Sequence, residues 1–358
     1  MRGVAVFLAT VLAAGAAEAA ANASFSEDTA SDYYAFAVGY QDIDDLPHAI
    51  ANYTKAIALD PKFAKAYQGR GASLAQSGDL DRALKDLTRA IELDPSLTTA
   101  YWNRGLVHLQ RHEADAAIAD LDRVIALNPR EAEAFADRAE ARQQRADLKG
   151  AAADYSHAIE LNRYLGAAYA GRGNVRLVLG EAEGALQDFT RQIELKHEPA
   201  EGWDGVGRAQ EALGEPAKAL EAYTRALALN PKAVRVYVRR AALRLEQGDL
   251  EGAAEDDTKA IGLEPKEPAY YLSRGLIRLK QNDLPRAIED TAKAAELDPD
   301  NADAWVNLSI ARERQGDLAG AARELERAIP LAEPSRKTEL EAQLRSLQAR
   351  RPPALNQP

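Results

Sequence analysis

The chain has 358 residues, no cysteine, and 45 Lys and Arg against 56 Asp and Glu, for a net charge of −11. The missing cysteine excludes disulfides, thiolate metal sites and cysteine nucleophiles, and the acidic balance argues against the basic stripe that an extended nucleic-acid footprint requires. A globular chain of this length would divide into two or three domains, unless its length comes from repetition.

Residues 1–23 read as a secretory signal. Arg2 supplies the positive start, 4–17 the apolar run, and Ala17-Glu18-Ala19 or Ala21-Asn22-Ala23 the cleavage site. The apolar run is 14 residues, short of the ~20 that a spanning helix needs. The mature chain is therefore expected to be periplasmic or secreted, with no integral membrane segment after cleavage. Residues 24–29 read as a linker.

From residue 30 a unit of 34 residues recurs nine times without an inserted residue: 30–63, 64–97, 98–131, 132–165, 166–199, 200–233, 234–267, 268–301 and 302–335. With the closing proline as position 32, Pro61, Pro95, Pro129, Pro231, Pro265 and Pro299 fall in phase, while Arg163 and His197 fill two slots. Position 4 is aromatic in every unit, from Tyr33 to Trp305; position 8 is small, and position 20 is alanine from Ala49 to Ala321. A period in this range marks a stacked array, in which each unit packs only on its neighbours.

Each unit predicts two helices. Positions 2 to 14 carry a helical apolar period without internal proline. Position 15 breaks it, often as Gly (Gly78, Gly180, Gly214, Gly248, Gly316), which tolerates a left-handed cap. The acidic residue at position 16 favours the second helix's N-terminus, and Asp there can also cap it. The small residues at 8 and 20 are expected to face one another across the hairpin. Arg at position 7 (Arg70, Arg104, Arg138, Arg172, Arg240, Arg274) occurs only with Asp at position 23 (Asp86, Asp120, Asp154, Asp188, Asp256, Asp290). The remaining units lack both, so the two residues are expected to pair within a hairpin. Residues 336–350, with Leu340, Leu344 and Leu347 at helical spacing, predict a capping helix; 351–358 predict a disordered tail.

The pattern aromatic-x2-Arg-Gly, then Ala at 20, an aromatic or Leu at 24, Ala at 27 and Pro at 32, resembles the tetratricopeptide repeat over residues 30–335. The resemblance implies an all-α fold, a right-handed superhelical solenoid of helix-turn-helix repeats. It also implies a concave groove lined by first helices, which in this family commonly binds peptides or proteins. Two departures stand out. Position 11, usually Tyr, is Arg in Arg142, Arg176, Arg244, Arg278 and Arg312, and Asp257 and Thr291 replace the bulky residue at 24, which predicts looser packing in units seven and eight.

In repeats of this family, positions 2, 5, 9 and 12 usually face the groove. Unit six offers Glu201, Asp204, Arg208 and Glu211, read as a solvated face. Units seven to nine instead offer Val238, Ala242 and Leu245, then Leu272, Leu276 and Leu279, then Val306 and Ile310; unit three adds Trp102, Leu106 and Leu109. These are the candidate groove residues. The alternatives are that they fill the seams between first helices or lie under the C-terminal segment.

No motif points to catalysis, a cofactor or a metal. Gly69-Arg70-Gly71 and Gly171-Arg172-Gly173 sit in helical segments with no preceding strand, unlike a dinucleotide loop. His108 and His112 have no third ligand repeating nearby. The sequence thus reads as an exported, non-catalytic scaffold that binds a protein or peptide partner, without nucleic acid. A co-chaperone-like adaptor, or a regulatory subunit of an envelope enzyme complex, is the alternative. The side-chain clamp of the chaperone adaptors is missing: where it would need Lys, Asn and Asn, this chain has Gln68, Ala72 and Asn103.

Overall fold

The computed structural model describes residues 29–350; the readings of 1–23, of nearly all of 24–29 and of 351–358 lie outside them. Among the described residues the chain is nineteen α-helices with no strand. It divides into two units, Met1–Glu181 and Ala182–Pro358. In the first, α1 (Ala30–Asp42) pairs with α2 (Leu46–Leu59), α3 (Ala64–Gln76) with α4 (Leu80–Leu93), α5 (Thr98–Gln110) with α6 (Ala114–Leu127) and α7 (Ala132–Gln144) with α8 (Leu148–Leu161); α9 (Gly166–Val178) follows. In the second, α10 (Ala182–Glu194) precedes the hairpins α11 (Pro199–Ala212) with α12 (Pro216–Leu229), α13 (Val234–Glu246) with α14 (Leu250–Leu263), α15 (Pro268–Lys280) with α16 (Leu284–Leu297) and α17 (Ala302–Gln315) with α18 (Leu318–Leu331). The last helix, α19 (Pro334–Arg350), packs on α18.

The hairpin turn is set by one residue. Position 15 has positive φ in every 34-residue segment, whether glycine (Gly78, Gly180, Gly214, Gly248, Gly316) or not (Asp44, His112, Ala146, Asn282). Glycine removes the side-chain clash that the left-handed region imposes, and the other four residues bear it. The following position starts the second helix. Asp45, Asp79, Asp147, Asp249, Asp283 and Asp317 each accept a hydrogen bond from a backbone N–H three residues on. Glu113 and Glu215 do not cap, because one more methylene carries the carboxylate past that N–H. They turn instead to His108 and Arg111, and to Lys218.

Packing inside a hairpin is closer than small residues at two positions would give alone. Every position-20 alanine, from Ala49 to Ala321, is fully buried. Position 8 faces both the position-20 carbonyl and the side chain at 24: a Cβ on Gly71 would lie 3.2 Å from Ala83 O and 2.8 Å from Leu87 Cγ. Larger side chains at 24 need larger sockets. Tyr53, Tyr155 and Phe189 lie against Gly69, Gly171 and Gly205, at position 6 of the next segment, and a Cβ there would run into the ring. Tyr223 instead lies against Gly207 in its own hairpin. The looser packing expected at Asp257 and Thr291 is not found. Thr291 is fully buried, donating to Ala287 O at 2.8 Å, with its methyl group against Gly275; Asp257 is 1% exposed.

Candidate functional site

The arginines at position 7 are structural. Arg70, Arg104, Arg138, Arg240 and Arg274 each hold the position-23 carboxylate of their own hairpin through Nε and Nη2, at 2.6–2.9 Å. Such bidentate pairs fix orientation as well as charge. The remaining nitrogen, Nη1, reaches back to position 25 of the preceding segment: Thr54, Thr88, Asp122, Thr224 and Thr258 for these five, and Ser156 for Arg172. Position 7 therefore ties neighbouring segments together as well as the two helices of one hairpin. The same guanidiniums lie over the position-4 ring of their own helix, Arg70 over Tyr67 at 5.6 Å for example.

Where position 7 is not arginine, the ring is met from elsewhere. Lys55, Arg225 and Arg327, all at position 26, lie 5.0, 4.6 and 4.8 Å from the ring centroids of Tyr33, Trp203 and Trp305. Position 26 is basic in all nine segments, a regularity visible in the sequence once the aromatic at position 4 is recognised as its partner. The arginines at position 11 also have an assignment. Arg142, Arg244 and Arg278 add a second guanidinium to the buried position-23 aspartate, at 2.9, 3.0 and 2.6 Å. In the third segment His108 takes that place, 2.6 Å from Glu113 and 3.9 Å from Asp120. His112 lies at the adjacent positive-φ turn.

The candidate groove residues fall into three groups. Leu109, Leu279 and Val306 are buried. Leu109 packs with Ala141 and Leu279 with Ala311, each at position 10 of the next first helix, and Val306 shares a cluster with Leu325, Leu340 and Leu347. Trp102, Leu106, Val238, Leu245, Leu272 and Ile310 are half-buried. Trp102 donates through Nε1 to Asp137 at 2.8 Å, so its polar edge is already engaged, and Leu272 packs beside Ala294, Ala295 and Ala304. Ala242 and Leu276 are exposed, the leucine by 38%.

Unit six departs from a simple solvated face. Asp204 binds Arg239 at 2.6 Å and Arg208 at 3.3 Å, and Arg208 also lies 5.4 Å from the Phe189 ring. Burial, reinforced by the neighbouring Arg239 charge, pulls the Arg208 pKa below its usual value against the opposing effect of Asp204. Glu201 and Glu211 remain exposed, the latter accepting from the Tyr223 hydroxyl.

Two-helix hairpins in a fixed register, with alanines between them and side chains projecting from the first helices, define a helical-repeat protein. Family models identify the repeat. A model described as TPR repeat matches residues 71–111, and models described as Tetratricopeptide repeat match 207–268, 272–335 and 52–85. The chain carries tetratricopeptide repeats. Among solved structures, a tetratricopeptide repeat protein from Parabacteroides merdae is similar with a TM-score of 0.56 and 20% identity, covering 69% of this chain and 98% of that one. A chain of the Cut9–Hcn1 hetero-tetramer of APC/C is similar with a TM-score of 0.50 and 14% identity, over 88% and 76%. Yeast Tom70 follows with a TM-score of 0.48 and 15% identity, over 90% and 89%. These are likenesses of fold. No curated protein matches the sequence. No helix among the described residues is long and apolar enough to cross a membrane.

Proposed function

We propose that the chain is an exported, non-catalytic interaction scaffold that holds a hydrophobic segment of a partner protein against its first helices. The observation that carries this reading is the apolar face of α13 and α15: exposed Ala242 and Leu276, flanked by half-buried Val238, Leu245 and Leu272. Apolar side chains left open on two successive first helices of a charged protein offer a place where another surface can dock. The face lies within the tetratricopeptide matches, and the fold supports an interaction scaffold. The proposal includes nine tandem repeats over 30–335, with 166–199 as the fifth, a cleaved signal at 1–23, and a periplasmic or secreted mature protein.

The test is affinity capture from envelope extract with wild type and with Ala242→Asp combined with Leu276→Asp. Both residues are solvent-facing, so circular dichroism and the melting midpoint should hold within about 0.5 kcal/mol of wild type while partner recovery is lost. Unchanged recovery removes the apolar face from the reading. An intact mass that retains Met1 in protein recovered from the cell removes the export.

A further inference from the structure

Position 24 is where each hairpin is filled. Leu87, Leu121, Leu325 and Tyr223 fill it with apolar bulk, and Thr291 turns its hydroxyl to its own helix. In α14 the residue is Asp257. It is 1% exposed, and its Oδ2 has no hydrogen-bond partner. A buried carboxylate with an unbonded oxygen is a costly arrangement.

The cations nearest it are engaged by other carboxylates. On α14 itself, Asp256 is buried and takes two of the four guanidiniums of α13, Arg240 at 2.7 Å and Arg244 at 3.0 Å, while Arg239 is held by Asp204. On α16, Asp290 is buried and takes both guanidiniums that α15 presents: Arg274 at 2.7 Å and Arg278 at 2.6 Å. Asp257 is left with the Ser273 hydroxyl and the field of Arg274 in its favour, against the like charges of Asp256 and Asp290. Burial is the largest influence and raises its pKa from 3.8 to about 6.

We propose that Asp257 makes the α13–α16 region a pH-responsive joint, closed while this side chain is a neutral acid and loosened when it ionises. The direction follows from linkage. The folded carboxyl holds its proton to higher pH than the unfolded one, so stability is greatest below the unfolded value and declines as pH rises through the folded one. Loosening would reach α13 and α15, which carry the apolar face, and it stands whether or not that face binds a partner.

The test is hydrogen exchange of the full chain at pH 5.0 and 7.5, corrected for intrinsic chemical exchange, with Asp257→Leu and Asp257→Asn beside wild type. Between these two values the local opening constant of α14 and α15 in wild type should rise about tenfold relative to both variants, while helices of the first unit show no such difference. A carboxyl titration followed by carbon NMR gives an independent reading. A midpoint near 6 supports the joint. A midpoint near 4, or variants whose exchange in α14 and α15 changes with pH as wild type does, overturns it.

Discussion

Ala146 is held at φ +62° at the turn between α7 and α8, where five other segments have glycine. A Cβ in the left-handed region costs about 1–2 kcal/mol, and glycine's larger unfolded-state entropy offsets roughly 0.5–1 kcal/mol of that. Ala146→Gly should therefore stabilise the protein, by up to about 1 kcal/mol, seen as a higher denaturant midpoint; a lower midpoint would contradict the strain assigned to this turn. Such positions were legible in the sequence only through their glycines, because nothing in an alanine announces the conformation that its neighbours impose. The pairing of positions 7 and 23 was legible for the opposite reason: Phe36, Val206 and Leu308 lose arginine in the same units that lose aspartate. Position 11 stayed obscure. Its arginines bind an aspartate already accounted for, and no missing partner drew attention to them.

At the scale of elements, the hairpin is a fit between position 24 and whichever glycine makes room for it. Gly69→Ala places a methyl group into the Tyr53 ring, an overpacking that costs about 1–3 kcal/mol. Tyr53→Leu substitutes the residue that units two and three carry at the same place, and it also loses the Tyr53 hydroxyl's bond to Gln41 at 2.8 Å. Combining the two should cost less than the sum of the single changes by at least about 0.5 kcal/mol, measured by denaturant unfolding. Additive effects would show that the ring and the glycine are not a matched pair. The sequence placed the first helix of each unit and the last helix within about two residues because proline, glycine and aspartate recur as end signals. It did not disclose the sockets, since glycine at position 6 of one segment is explained only by a ring 16 residues earlier.

For the molecule as a whole, the ends follow different solutions. α1 begins with a capping box, Thr29 accepting from the Asp32 N–H and Asp32 from the Thr29 N–H at 2.8 Å. At the other end α19 buries Leu340 and Leu347 in a cluster with Val306 and Leu325, giving the last hairpin an apolar neighbour, with Leu344 half-buried at its edge. The sequence read α19 correctly as a cap, because three leucines at helical spacing on an otherwise polar segment need one surface to cover. The candidate face was less legible. Whether a leucine at position 12 lies open or beneath a neighbour depends on the next first helix: Ala141 and Ala311 let that helix close over Leu109 and Leu279.

The backward bond from position 7 to position 25 has a consequence for how the chain comes apart. These bonds act as stitches along the array: Arg70, Arg104, Arg138 and Arg172 sew α1–α9 together, and Arg240 and Arg274 sew α12–α16. Two stitches are dropped, at Val206, which leaves Thr190 bonded only to its own helix through Leu186 O, and at Leu308, which follows Ala292. A quasi-one-dimensional protein is held together by its neighbour interfaces, so where the stitch is missing, at α11 and α17, the blocks on either side should open independently. Exchange under mild denaturant should then give amides of α3–α9 one shared opening free energy, amides of α13–α16 another, and α17–α19 a lower one. A single common value across α3–α19 would mean that the dropped stitches do not divide the chain.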